Sequence, residues 1–250
     1  MDKKLLNLLQ EIDRLKAVLD EARPVLDKTI LNALDIEYTY DSNRIEGNTL
    51  TLRETDIIIN KGLTVGGKSM REHLEATNHH EAIQYIRDIV CRSQAISETL
   101  IKNIHAIILR GIDRENAGKY RSVPVAISGS RHIPPQPWQV PILMEALILW
   151  IETESATYHP VIFAAELHER IATIHPFIDG NGRTARLMMN LVLLKSGYPI
   201  ANIPGDTESR LAYYNALEKC NLDGEKSDFY SVIACHVKDS LQSLTRKLGK

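Results

Sequence analysis

Cysteine is scarce. The 250-residue chain has three, Cys91, Cys220 and Cys235. An odd number with no C-x-x-C spacing excludes a disulfide framework and a cysteine-based zinc site, and it fits a reducing compartment. Long apolar runs are missing as well. The longest, Ala146 to Ile151, falls far short of the ~20 residues that span a bilayer. The opening Met1-Asp2-Lys3-Lys4 leads into a segment carrying Glu11, Asp13 and Arg14, where a signal peptide would need an uncharged apolar stretch. These absences predict a soluble, cytoplasmic protein without membrane attachment. Neither sign of charge is in excess: 30 Lys+Arg face 32 Asp+Glu, a net charge of -2, so direct nucleic-acid binding is not expected. Repeats and low-complexity tracts are absent too. With 44% hydrophobic and 25% charged residues, the chain has ordinary globular composition and enough length to bury a core without staples.

Helical periodicity is what the chain has in abundance. Leu5, Leu8, Ile12, Leu15 and Leu19 step by three and four, which predicts a surface helix docked on its own domain; the same seam would also serve a homodimer. Pro24 restarts a helix to about Tyr40. Thr51-Leu52-Arg53-Glu54 and Ser69-Met70-Arg71-Glu72 are capping boxes, the second opening a helix to about Arg92. Ser97 caps a helix that ends at Gly111. Further helices are predicted over about 137–154, 159–174, 183–196, 206–222 and 227–247. Between them, Val123, Val125 and Ile127 alternate with other residues, and Gly129-Ser130 supplies a turn, which predicts a short β-hairpin. The expected fold class is all-α with one hairpin.

Gly62 to Ser69 satisfies G-x-x-x-x-G-K-[ST], the pattern of a phosphate-cradling loop. Such a loop must join a buried parallel strand to a helix. The capping box at Thr51 makes the preceding stretch a helix, and the chain has no alternation of strands and helices. The stretch is read as a connector before a capped helix.

The segment His175-Pro176-Phe177-Ile178-Asp179-Gly180-Asn181-Gly182-Arg183-Thr184-Ala185-Arg186 carries chemistry. A helix stops at Pro176 and another begins near Arg183. The glycines between them permit a turn whose successive N–H groups form an anion nest, reinforced by the next helix N-terminus. Arg183 and Arg186 oppose the helix dipole there, so their presence makes sense for binding a polyphosphate rather than for stability. Asp179 suits Mg²⁺, which is usually held by one or two carboxylates together with substrate phosphates. His175 is the group of the loop that takes a proton near neutral pH.

This segment resembles the signature of the Fic family, HPFx[DE]GNGRxxR, at every defined position, and the resemblance extends over about residues 36–235. It divides the chain into an N-terminal helical segment, 1–35, and a Fic domain, 36–250. It implies the helical Fic fold with a flap, 118–135, over the active site. It also implies transfer of AMP from ATP to a Ser, Thr or Tyr hydroxyl of a protein target, with Mg²⁺, and self-modification is open to such an enzyme. Carried over, His175 is the base and Asp179 the Mg²⁺ ligand. Gly180, Asn181 and Gly182 hold phosphate oxygens, Arg183 the β-phosphate and Arg186 the γ-phosphate. Gly129, Ser130, Arg131 and His132 border the nucleotide from the flap, and Tyr213, Tyr214 and Asn221 match adenine-pocket positions.

Ser42-Asn43-Arg44-Ile45-Glu46-Gly47-Asn48 resembles the family's inhibitory motif, [ST]xxxE[GN]. The resemblance implies that Glu46 pairs with Arg186 and blocks productive γ-phosphate placement in the same chain. Two alternatives accompany this reading: removal of AMP from a modified protein, and a non-catalytic helical regulatory or interaction protein.

Overall fold

The computed structural model describes residues 2–22 and 27–248. Its ten helices are α1 (Lys3–Ala22), α2 (Lys28–Ile45), α3 (Leu52–Lys61), α4 (Met70–Cys91), α5 (Glu98–Ile108), α6 (Val140–Glu154), α7 (Pro160–Ile174), α8 (Asn181–Lys195), α9 (Thr207–Asp223) and α10 (Ser227–Lys247). The all-α expectation holds. Among the described residues no helix is long and apolar enough to cross a membrane.

The antiparallel pair α7–α8 is the centre of the molecule. Nearly every residue of both helices is buried, polar ones included. Around them, α2, α4 and α5 pack on α8, and α6, α9 and α10 pack on α7. The Leu5–Leu19 seam is spent inside the chain, since α1 lies along α10 and buries Leu5, Leu9, Ile12 and Leu19. Lys238 pairs with Glu11 at 2.9 Å on that seam, and Tyr198 donates to Asp13 at 2.9 Å. Pro24 lies outside the described residues. Residue 35, where the N-terminal segment was divided from the rest, falls inside α2.

Both capping boxes form, with the side chains of Thr51 and Ser69 accepting from the N–H of Glu54 and Glu72. The phosphate-loop look-alike is indeed a connector. Gly62 closes α3 in the left-handed region (φ 63°), Ser69 caps α4, and Lys68 Nζ is bound to the Thr49 carbonyl at 2.6 Å.

Two expectations change. First, α2 runs to Ile45 rather than Tyr40. Its last turn holds polar residues of weak helix propensity, but tertiary contacts override that preference. Asn43 donates to Thr39 O and Glu75 O, and Asp41 receives the Gly205 N–H at 2.9 Å and Asn202 Nδ2 at 2.6 Å. Glu46 therefore becomes the C-cap of a helix clamped on both sides. Second, the hairpin over 118–135 is absent: no strand forms among the described residues. A turn does form, with Ser130 N–H bound to Ile127 O at 3.2 Å and Gly129 at φ 78°. Pro124, Pro134 and Pro135 have no N–H to give a ladder. The Arg121 guanidinium takes the ladder's place by donating to Val123 O and Pro135 O.

Burial of neutral imidazoles has a cost in acid. Burial lowers the His105 pKa to about 4, and burial followed by the Arg186 charge lowers that of His168 to about 3. Between pH 6.5 and 4 the unfolded chain binds a proton at each position that the folded chain refuses. This stability is therefore complete above pH 6.5 and lost as pH falls, by about 1.4 kcal/mol per pH unit for each histidine. Urea titrations at stepped pH should give an unfolding free energy that drops by at least about 3 kcal/mol per unit below pH 6, this pair alone supplying that much. A flat profile from pH 6.5 to 4.5 would contradict the buried neutral state of this pair.

Candidate active site

The site is the connection between α7 and α8. His175 ends α7 in the left-handed conformation (φ 49°, ψ 59°), which is unusual for a residue with a side chain. Its Nδ1 lies 3.3 Å from Ala172 O. A carbonyl only accepts, so Nδ1 carries the proton and Nε2 keeps its lone pair. Burial lowers the ring's pKa to about 4, so the imidazole is neutral at physiological pH.

The loop is tied internally. Asn181 accepts from Phe177 N–H and donates to Phe177 O, both at 2.9 Å. The Asn181 side chain thus closes the loop, leaving its backbone N–H for a ligand. Phe177 stacks on His105 at 3.6 Å between centroids. His105 accepts from Gly118 N–H (2.9 Å), so its other nitrogen donates to Asp179 O (2.9 Å). One neutral imidazole therefore fixes the loop to the base of the flap.

Gly180 sits at φ 76°, and α8 starts at the next residue. The N–H groups of its first turn have no acceptor within the helix. Above them lies the Glu46 carboxylate, so close that a Cβ on Gly182 would meet its Oε1 at 2.4 Å. Arg186 is fully buried. It donates to Glu46 Oε1 (2.7 Å), Ser42 Oγ (3.0 Å) and Ser42 O (2.9 Å). Burial alone would lower the Arg186 pKa; the carboxylate of Glu46, then the nearby tyrosine hydroxyls, raise it instead.

Arg183 is almost as buried but poorly matched. Glu75 and Asp179 stand 3.6 and 3.5 Å away, and its Nε and Nη1 have no hydrogen-bond partner. Buried donors of this kind are rare in proteins and mark a place for an anion. Asp179 is half-exposed. Its Oδ1 accepts from Gly180 N–H (2.6 Å) and its Oδ2 from Arg71 (2.6 Å). Burial would raise its pKa, but Arg183, the Gly180 N–H and Arg71 together lower it.

The remaining sequence-predicted residues separate into two groups. The flap turn is pinned to α9 and α7: Arg131 N–H donates to Glu218 (2.8 Å) and His132 Nε2 donates to Thr173 O (2.9 Å). Asn221 joins them through the Thr173 hydroxyl. Tyr213 and Tyr214 lie instead on the Glu46–Arg186 side. Tyr214 is partly exposed and donates to Ile45 O (3.3 Å). Tyr213 is buried in the core, its hydroxyl 2.9 Å from His168, and so lines no open surface. Sequence reasoning missed Arg71, Glu75, His105 and Arg121 as parts of the site, and it named Ser42 within the inhibitory motif without its bonds to Arg186. The Arg71–Asp179 and Ser42–Arg186 contacts join residues 108 and 144 positions apart, which no local pattern encodes.

Residues 95–193 match the model of the Fic/DOC family. The chain is 36% identical over 234 residues to the protein adenylyltransferase Fic of Drosophila virilis, covering 93% of this chain and 47% of that protein. It superposes on residues 134–508 of Fic-1 from C. elegans with a TM-score of 0.87 and 30% identity, covering 98% of this chain and 73% of that one. A Fic domain containing signaling protein from Bacteroides thetaiotaomicron gives a TM-score of 0.82 at 29% identity, with 95% of both chains covered. A helical domain built around this loop, with these likenesses across nearly its whole length, defines the class. The chain belongs to the Fic/DOC family. It spans about half the length of the curated relatives it matches.

The two arginines should respond oppositely to substitution. Arg183→Gln removes a charge that Glu75 and Asp179 balance only loosely, at 3.6 and 3.5 Å, beside a helix N-terminus of the same sign, so the melting temperature should stay level or rise. Arg186→Gln breaks a buried, bonded charge and should cost about 3 kcal/mol. Inorganic pyrophosphate should raise the melting temperature of the wild type but not of Arg183→Gln. Equal destabilisation by both substitutions would refute the distinction.

Proposed function

We propose that this chain transfers AMP from ATP to a hydroxyl group of a protein and that Glu46 restrains the transfer. The observation that carries the reading is the Glu46 carboxylate seated against Gly182 and Arg186: an anion of the chain's own occupies an anion site. When Glu46 withdraws, Arg186 and the first-turn N–H groups of α8 are released toward phosphate oxygens. Arg183 already has unpaired donors for them. The purine side would be bordered by the flap turn, 129–132, with Asn221, while Tyr214 stands on the Glu46 side, its ring 5.2 Å from that of Tyr213.

His175 Nε2 would accept the proton of the target hydroxyl as its oxygen attacks the α-phosphorus. The bond from that phosphorus to the bridging oxygen breaks, and pyrophosphate leaves with the displaced charge. Base assistance contributes about 10²–10⁴ in rate, and fixed donors around the developing charge usually contribute more. The donor set fits Mg²⁺. One half-exposed carboxylate, Asp179, stands beside the phosphate donors, and no ready-made cluster of three ligands exists among the described residues. That is the arrangement expected when substrate phosphates complete the shell. Bound there, the ion would neutralise phosphate charge. Arg71 currently balances Asp179, so Arg71→Ala should lower the Mg²⁺ concentration that gives half-maximal transfer. An unchanged value would mean that Arg71 does not compete.

Wild type, Glu46→Gly and Glu46→Gly/His175→Ala would be incubated with Mg²⁺ and ATP labelled at the α- or γ-phosphate. The reading requires α-label on protein that rises at least tenfold in Glu46→Gly and vanishes in the double variant. γ-Label alone would mean phosphoryl transfer. No label from either, with release of AMP from a modified protein, would favour the reverse reaction.

A further inference from the structure

Arg121 is only 3% exposed, yet no carboxylate pairs with it among the described residues. A buried guanidinium without a counter-charge is expensive and persists only where its donors are used well. Here every contact goes to backbone. Nε donates to His175 O (2.8 Å), Nη1 to Val123 O (3.3 Å) and Nη2 to Pro135 O, while the Arg121 N–H donates to Pro176 O (3.0 Å).

These four carbonyls belong to two structures. Val123 and Pro135 bracket the flap, whose turn is held at its tip by Glu218 and Thr173 and whose base is held at Gly118 by His105. His175 and Pro176 open the signature loop. His175 is one of two non-glycine residues at positive φ among those described, an unfavourable conformation for a residue with a side chain that needs support from its surroundings. Holding both its carbonyl and the next one from a single residue supplies that support. The planar fork of an arginine reaches three carbonyls at once; the single ammonium of a lysine does not.

We propose that Arg121 is a positioning residue that locks the flap to the backbone of His175, so that the turn that would border the nucleotide and the proton-accepting ring move as one unit. The catalytic consequence rests on the AMP-transfer reading; the mechanical link does not.

Two measurements test it on Arg121→Lys and Arg121→Met. In limited trypsin digestion, cleavage after Arg131 in the flap should accelerate at least tenfold in both variants, while cleavage after the buried Arg186 stays at the wild-type rate. In the Glu46→Gly background, both should lose at least tenfold in kcat at saturating ATP, with lysine failing to rescue. Unchanged cleavage at Arg131, or equal acceleration at Arg186, would overturn the lock, the second because it reports general unfolding. Faster flap cleavage with unchanged kcat would overturn the positioning role. If Glu46→Gly itself transfers no label, the AMP-transfer reading fails, and the digestion still decides whether Arg121 holds the flap.

Discussion

Two guanidinium groups are buried at the positive end of a helix, and the molecule is organised around that burden. The dipole of α8 and the charges of Arg183 and Arg186 all carry the same sign, in a place where water is scarce. Three carboxylates converge on this point from separate parts of the chain: Glu46 from the end of α2, Glu75 from α4 and Asp179 from the loop itself. The packing of α2 and α4 onto α8 is thus an electrostatic arrangement as well as an apolar one. It gives Arg186 three hydrogen bonds, leaving Nη1 without one, while Arg183 has only carboxylates at 3.5 and 3.6 Å and both Nε and Nη1 unpartnered.

The pair Glu46–Arg186 is held by geometry that would not tolerate small changes. Gly182 lacks the one atom that would collide with the carboxylate, and α2 is clamped on one face by Asn43 and on the other by Asp41 and Gly205. A Cβ on Gly205 would meet Asp41 O at 2.8 Å, so the segment after α8 also lies against the helix that carries Glu46. The position of the Glu46 carboxylate is therefore set by α4 and the 202–205 segment as well as by the loop's own Gly182.

Features written in short stretches were legible beforehand. Capping boxes, the helical periodicities and the His175–Arg186 loop each depend on residues within a dozen positions of one another. The Glu46–Arg186 pairing was anticipated only because both motifs resemble family patterns; nothing in the spacing joins them. The last turn of α2 was not legible, since its polar residues become helical only through side-chain bonds to α4 and the 202–205 segment. The hairpin expectation followed a true alternation at 123–127, but prolines removed the donors and Arg121, within the same stretch, took over the carbonyls. Tyr213 shows a similar limit: its type suits a pocket or a core, and only the partner across the helix, His168, decides between them.

The seam between α1 and α10 has a consequence for synthesis. These helices are nearly a whole chain apart in sequence, yet each buries its apolar face on the other. On the ribosome α1 emerges well before α10, with Leu5, Leu9, Ile12 and Leu19 lacking their partner until α10 has been made. At about 5–20 residues per second, more than ten seconds pass in that condition. The nascent chain must therefore keep a sticky helix solvated while the α7–α8 centre assembles without it, and closing this last long loop is the natural final step of folding.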